Sequence, residues 1–95
     1  SLQPGRYGFD RTVLPMKLLT APNVGLESRA QARRVVARLA QFRHADVDFG
    51  GIEDIGHAFA DELFRVQSAG GVSLDLRPVR MSPRVAAMVD SVVDA

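Results

Sequence analysis

Residues 47–66 (VDFGGIEDIGHAFADELFRV) constrain the fold more than any other part of the chain. They read as a short apolar strand, a turn broken by Gly50 and Gly51, and an amphipathic helix. In α/β proteins a strand, a tight turn and a helix in this order place the turn at the carboxyl edge of the sheet, where the functional surface usually lies. We therefore expect any site of this domain at that turn and at the start of the following helix.

The whole chain is long enough for one domain. Its 95 residues are 46% hydrophobic, which suits a single modest core. It begins SLQPGRYGFD, without Met, and we expect a domain excised from a longer protein. Residues 1–11 are assigned to an entry segment or a linker from a preceding domain, and residues 12–95 to the domain itself. No apolar run approaches about 20 residues and no signal layout is present, so we expect a soluble, cytoplasmic protein.

The residue types exclude several kinds of chemistry. Cysteine is absent, which excludes disulfides, thiolate chemistry and most structural zinc sites. His44 and His57 are the only histidines, too few for a transition-metal site built by the protein alone. We expect no metal site and no cofactor.

A strand and a helix are predicted before the central segment. Residues 12–19 (TVLPMKLL) predict a strand, and Pro15, which cannot donate a hydrogen bond to a neighbouring strand, favours a sheet edge. Before it, Tyr7 and Phe9 of the entry segment are candidates for the start of an edge strand. After the loop 20–25, Ser28 and Gln31 form a capping-box pattern, so a helix should begin there. Its apolar face holds Ala32, Val35, Val36, Leu39 and Phe42, and the opposite face holds Arg29, Arg33, Arg34 and Arg38.

The central segment itself predicts three elements. Residues 45–49 should form a strand, and Gly50 with Gly51 should form a sharp turn. A second helix should run over residues 57–67, capped by Asp54 or Gly56. Its buried apolar residues should be Phe59, Ala60, Leu63, Phe64 and Val66.

The C-terminal part adds a strand and a helix. Gly70 and Gly71 should end the second helix, and residues 72–79 (VSLDLRPV) alternate as a strand that Pro78 closes. Ser82 before a proline should cap the last helix. The alternation of strands and helices predicts an α/β fold with a mostly parallel or mixed sheet of about four strands and three helices.

Three stretches carry a family resemblance. ESRAQARRVVARLAQF, VDFGGIEDIGHAFADELFRV, and the later L-x-L-x-P strand with its terminal helix look like the STAS-like domain family of unknown function. Members typically read S-R-x-x-A-K-R-L-L and then L-D-F-x-G-V-x-x-I-G-Q-x-F-A-D-E-hydrophobic-F-R-V. With FDRTVLPMKLL as the lead-in strand, the resemblance covers about residues 9–90. Its I-G-x-x-F-A-D-E-L-F-R-V portion is specific, and the remainder supports it.

The resemblance implies the fold of the anti-sigma-factor antagonists and regulation through protein contact. Such domains often follow a helix-turn-helix segment or a histidine-kinase-like ATPase domain in bacterial signalling proteins. Typical antagonists carry Asp-Ser-Ser or Asp-Ser-Gly at the second helix, where a partner kinase phosphorylates the Ser. The corresponding positions here are Gly56, His57 and Ala58, so that switch cannot operate at this site. His57 also stands where the family usually has Gln, and it is titratable.

His57 is the first candidate for chemistry. It precedes Asp61 by one helical turn, so a carboxylate could orient its imidazole as a general base. An exposed ring nitrogen could also accept a phosphoryl group. No Ser or Cys nucleophile lies in the same motif, and isolated His–Asp pairs on helices are common. We therefore expect no enzymatic activity and assign no catalytic residue.

Two further patterns each have a simpler interpretation. Gly50 and Gly51 before a helix could hold an anion, but a P-loop lysine is missing and Glu53 and Asp54 would repel phosphate. The glycines are then needed only for the turn. The arginines of the first helix could contact nucleic acid, but they lack interleaved aromatics. A solvated exterior, or a docking surface for an acidic partner, explains them more simply.

Asp61 and Glu62 are the strongest candidates for contact with a partner, because they lie near the helix start beside the turn. Both also have the spacing of outward-facing ion pairs with Arg65, and acids in a first turn stabilise a helix. Partner contact and helix stabilisation therefore remain equal alternatives.

The main hypothesis is a non-enzymatic regulatory module that docks through residues 50–62. Its partner would be an ATPase or DNA-binding domain of the same or a companion polypeptide, and a homodimer is compatible with it. The docking residues are Gly50, Gly51, Asp54, Gly56, His57, Asp61 and Glu62. The alternatives are a nucleotide or anion sensor at the same turn, and nucleic-acid contact through the Arg29–Arg38 face.

Overall fold

Strands and helices alternate along the chain as the patterns predict. The structure is a computed structural model and describes residues 9–67 and 74–94. Gly70, Gly71 and Val72 lie outside the described residues, as do residues 1–8 of the expected linker. The elements are β1 (Phe9–Pro15), α1 (Arg29–Leu39), β2 (Phe42–Asp48), α2 (His57–Asp61), β3 (Asp75–Val79) and α3 (Pro83–Val93).

The strands form one parallel sheet in the order β1-β2-β3. The α/β class, the parallel sheet and the three helices agree with the prediction. The predicted number of about four strands is wrong for residues 9–67 and 74–94, which contain three. The reason lies at the start of the sheet, where Phe9 and residues 12–15 belong to one continuous strand. The edge position predicted for β1 is confirmed.

The predicted strand 12–19 ends earlier than expected. Residues Met16–Leu19 form a 3-10 turn after Pro15. Met16 is fully buried and Leu19 packs against the core, and this three-residue spacing suits a helical turn rather than an alternating strand. The amide and the hydroxyl of Thr20 both donate to the carbonyl of Lys17 and close the turn.

The capping box of α1 is confirmed. The Gln31 amide donates to Ser28 Oγ over 3.1 Å, and the Gln31 side chain accepts the Ser28 amide over 2.7 Å. Ala32, Val35 and Leu39 are buried as predicted. The placement of Phe42 on this helix is wrong, because α1 ends at Leu39 and Phe42 begins β2, where it pairs with Phe9 of β1.

The second helix changes its winding. After α2, residues Glu62–Val66 continue as a π-helical turn. Gly56 is the N-cap rather than Asp54. In β3, Pro78 lies inside the strand opposite Val47 and does not close it, because a proline is tolerated in a strand at a sheet edge. Ser82 caps α3 by accepting the Val85 amide over 3.1 Å, as predicted.

The hydrophobic core lies between the helices and one face of the sheet. Ala45 and Val47 of β2 are buried in it. His44, which alternates with them, points to the other face and pairs with Asp75 of β3 over 3.2 Å. The remaining buried core residues come from the helical segments and from the loops, and the largest fully buried ones are Phe49, Phe59, Met16, Leu26, Ile55 and Leu63. Leu14 of β1 and Leu76 of β3 pack against this core and are partly buried.

Candidate functional site

The carboxyl ends of the three parallel strands meet at one edge. Three segments leave this edge, namely residues 17–26 after β1, residues 49–57 after β2 and residues 80–82 after β3. We call these three segments together the carboxyl edge. The predicted turn, Gly50 and Gly51, lies in the middle segment.

Gly50 is fixed by an ion pair between two strand ends. Arg80 donates from Nε and Nη2 to the two carboxylate oxygens of Asp48, each over 2.8 Å. The Gly50 amide donates to the same carboxylate over 2.8 Å. These hydrogen bonds, first from Arg80 and then from Gly50, lower the pKa of Asp48 below its ordinary value. A β-carbon at Gly50 would lie 2.2 Å from an Arg80 nitrogen, so this position requires glycine while the guanidinium stays in place.

Three residues at this edge, Asn23, Gly51 and Arg80, have left-handed backbone conformations. Gly51 has a φ of 78°, which glycine adopts without strain. Arg80 has a φ of 53°, which is uncommon for a residue with a side chain. Such a conformation persists where the surrounding contacts hold it, and here the ion pair to Asp48 does so.

The turn after Gly51 presents polar side chains and is anchored by apolar ones. Glu53 and Asp54 are exposed, whereas Ile52 and Ile55 are buried on either side of them. Ser82 donates to the carbonyl of Glu53 over 2.8 Å and ties the turn to the segment after β3. The turn is therefore exposed and held in one shape.

The start of α2 is closed by backbone contacts. The amide of Gly56 donates to the carbonyl of Leu26 over 2.8 Å, and the amide of Phe59 donates to that of Glu27 over 3.2 Å. A β-carbon at Gly56 would lie 3.0 Å from the Glu27 backbone. Two of the amides that an anion would need at this helix start are thus already bonded.

His57 is exposed, and its side chain forms no hydrogen bond or ion pair with the described part of the chain. The carboxylate of Asp61, one turn away, is bonded to Arg29 and Arg65 instead. The structure therefore brings His57 to the surface without the carboxylate contact that would orient it as a general base.

Asp61 and Glu62 are buried, with relative exposures of 5% and 4%. Arg65 donates to Asp61 from Nε and, over 3.0 Å, from Nη2, so this predicted pair is confirmed. Arg29 Nη1 donates to Asp61 over 2.8 Å. These hydrogen bonds, those of Arg65 first, hold the pKa of Asp61 well below its ordinary value.

Glu62 does not form its predicted pair with Arg65. Its carboxylate lies 3.5 Å from Arg29 Nη1 and from Arg33 Nη1, and it accepts from Gln67 Nε2 over 2.6 Å. The expected outward orientation of both acids is wrong, because α2 and the π-helical turn pack against α1 and its arginines cover the carboxylates. Their predicted role in partner contact stays a prediction.

Two shallow grooves flank the Gly51–Asp54 turn. One, of about 270 Å³, lies towards the loop after β1 and is lined by Lys17, Thr20 and Val24. The other, of about 430 Å³, lies towards the end of β3. Leu18, 70% exposed, and Val24, 51% exposed, add apolar surface to the carboxyl edge.

Several features of this site were not predicted from the sequence. Asp48 and Arg80 are charged residues at the ends of two different strands, and only the pairing of β2 with β3 brings them together. Leu18 was assigned to a strand, so its exposure in a 3-10 turn was not foreseen. The positive φ of Arg80 has no signal in the sequence.

The described residues show no arrangement for a metal or a membrane. No group of three His, Asp or Glu side chains in residues 9–67 and 74–94 could hold a metal ion. Among the helices described there, none is both long and apolar enough to cross a bilayer.

The family resemblance is confirmed over part of the chain. The family model for a STAS-like domain of unknown function matches residues 31–68. This range contains most of α1, all of β2, the Gly50–Gly51 turn, α2 and the π-helical turn. No curated protein and no solved structure matches the chain. The chain is therefore defined as a small α/β protein with a STAS-like segment at its centre.

Proposed function

We propose that this domain is a non-enzymatic regulatory module that docks onto a protein through its carboxyl edge. The observation that carries the proposal is the combination of an exposed, rigid turn with exposed apolar side chains at the same edge. Lys17, next to Leu18, lies close to Gly51, since a β-carbon there would be 3.8 Å from Lys17 Cδ. Exposed apolar groups beside polar ones are typical of protein interaction sites.

The rigidity of the turn supports a docking role. The Gly50 amide donates to Asp48, which is itself bonded by Arg80. Ser82 donates to the carbonyl of Glu53, and Ile52 is buried. A surface that is already ordered loses little conformational entropy when a partner binds. The strained Arg80 fits the same interpretation, because backbone strain concentrates at functional sites.

A nucleotide or other anion fits this edge less well than a protein. Both grooves are shallow, whereas small-molecule sites usually enclose most of their ligand. The amides of Gly56 and Phe59 are bonded to carbonyls. The exposed carboxylates of Glu53 and Asp54 lie beside the first groove and would repel a phosphate.

The class of partner is inferred from the family resemblance. We propose a histidine-kinase-like ATPase domain, or a DNA-binding domain, of the same or a companion bacterial polypeptide in the cytoplasm. Because no hydroxyl is present at residues 56–58, docking would not depend on phosphorylation of a serine there. The exposed His57 lies within the proposed surface.

Site-specific photo-cross-linking in cells tests the proposal. A photo-reactive amino acid replaces Glu53 in the full-length protein, and Asp90, an exposed acid on α3, serves as the matched control position. We expect one protein or domain to be captured from position 53 and not from position 90. Equal capture at both positions, or no capture from position 53, would refute docking through this edge.

Leu18→Asp should abolish that capture because it places a charge on the exposed apolar surface. Val93→Asp, at an exposed valine 56% accessible on α3, makes the same kind of change elsewhere and should leave capture intact. If the two variants behave alike, the apolar side chains of the carboxyl edge do not carry the interaction.

A further inference from the structure

A second surface, different in chemistry from the carboxyl edge, lies on α1 and the adjoining π-helical turn. Helix α1 contains no acidic residue in its sequence RAQARRVVARL. At about 100° per residue its arginines fall into two pairs on the solvent side. Arg29 and Arg33 lie beside the π-helical turn, and Arg34 and Arg38 lie on the opposite flank. We call these four arginines and Arg65 the arginine surface.

The arginines next to the π-helical turn are held by buried acids. Arg29 and Arg65 both bond Asp61, and Arg33 pairs with Glu62. Their side chains nevertheless stay 43%, 52% and 57% exposed, respectively. A guanidinium has five N–H donors, and these contacts use one or two of them. The remaining donors face solvent on groups whose positions are already fixed.

Arg34 and Arg38 are also exposed, and within residues 9–67 and 74–94 they form no ion pair. Five arginine charges on this surface outnumber the two buried carboxylates by three, whereas the whole chain carries a net charge of +1. The positive charge of the domain is therefore concentrated here, and the two acids that partly balance it are covered.

We propose that the arginine surface binds an acidic segment of a protein partner. Guanidinium groups match carboxylates in a two-point geometry that lysine cannot provide. The distance from Arg29 to Arg38 along α1 is about 14 Å, the length of about four extended residues. This proposal is independent of docking through the carboxyl edge, since it rests on different residues.

Nucleic acid is the competing ligand and fits less well. Single strands are usually held by aromatic side chains that stack on bases, and the arginine surface contains none. Double-stranded DNA is bound through many phosphate contacts spread along the duplex, whereas the four arginines of α1 span about 14 Å.

The test is an amide-resolved NMR titration with a peptide of about six glutamates. Arg34→Gln with Arg38→Gln removes two charges from the surface without uncovering a buried acid. Arg11→Gln with Arg84→Gln removes two exposed charges elsewhere and is the control matched in charge, Arg84 being paired over 3.6 Å with the exposed Asp54. We expect saturable shifts in residues 29–39 and 62–66, with affinity weakened about fourfold by the first pair and less than about twofold by the control.

If the two variant pairs weaken the affinity for the peptide equally, the peptide binds by attraction to the charge of the whole domain, and the proposal is overturned. A DNA duplex long enough to stay hybridised is titrated in parallel at the same total concentration of negative charge. Tighter binding of the DNA through the same amides would also overturn it, by making this face a nucleic-acid interface. Spectra of the free variants establish that each one is folded.

Discussion

Gly50→Ala and Arg80→Ala, alone and combined, test whether the Arg80 guanidinium determines the shape of the Gly50–Gly51 turn. The three atoms nearest to a β-carbon at position 50 all belong to Arg80, at 2.2, 2.4 and 2.9 Å. Real β-carbons do not approach other atoms so closely, so Gly50→Ala must displace Arg80 from Asp48. The backbone itself accepts alanine, because the only positive-φ glycine among the described residues is Gly51.

The expected changes in the free energy of unfolding follow from the clash with Arg80 at position 50 and from the positive φ at position 51. In the Arg80→Ala background the clash is gone, so Gly50→Ala should stabilise the fold by about 0.4–1 kcal/mol through the lower entropy of the unfolded chain. With Arg80 present, the same change also displaces the guanidinium from Asp48, whose side chain is 11% exposed. A poorly exposed carboxylate that loses its charged partner costs about 1–3 kcal/mol, so the net effect should be destabilising. Gly51→Ala forces alanine into a left-handed conformation and should cost about 1 kcal/mol net in either background.

The assay is urea denaturation of these variants at neutral pH, followed by far-UV circular dichroism. The prediction is a change of sign for Gly50→Ala when Arg80 is removed, and no such change for Gly51→Ala. If Gly50→Ala destabilises the protein equally with and without Arg80, the guanidinium does not determine the turn and the reasoning fails.

Three further predictions concern the scaffold. Ser28→Ala removes the N-cap of α1 and should cost about 1 kcal/mol in urea denaturation; an unchanged midpoint would contradict the capping box. Phe59→Ala empties a fully buried position and should cost about 3–5 kcal/mol, which circular dichroism would detect as partial or complete unfolding. The pKa of Asp61 is lower in the folded state than the unfolded value of about 3.9. Its stabilising effect is therefore present above that pH and lost as the pH falls below it. Asp61→Asn should make the acid-induced loss of stability shallower, and an unchanged pH dependence would refute this.

Local signals in the sequence predicted much of the fold. The caps at Ser28 and Ser82 act through contacts three residues away, so both helix starts were readable. The residues at which strands begin and end were harder to predict. Residues 16–19 are as apolar as the strand before them, and only packing shows that Met16 turns inward in a 3-10 turn. Phe42 matched the helical period but pairs with β1 instead.

The candidate site was predicted in place but not in detail. The Gly50–Gly51 turn lies at the carboxyl edge as expected, because a strand–turn–helix order fixes its position in a parallel sheet. The burial of Asp61 and Glu62 could not be foreseen, since it depends on arginines of α1 about thirty positions earlier in the chain. The bond between Asp48 and Arg80 likewise depends on which strands are neighbours.

The most direct test of the docking surface is an amide-resolved NMR titration of the domain with the partner captured through position 53, and separately with ATP alone. We predict that the partner shifts the amides of residues 17–26 and 50–57, that Leu18→Asp removes these shifts, and that ATP alone leaves residues 50–60 unchanged. Shifts of residues 50–60 with ATP alone would make this edge a nucleotide sensor. Partner-induced shifts confined to the sheet face that carries His44, or to α3, would also contradict docking through the carboxyl edge.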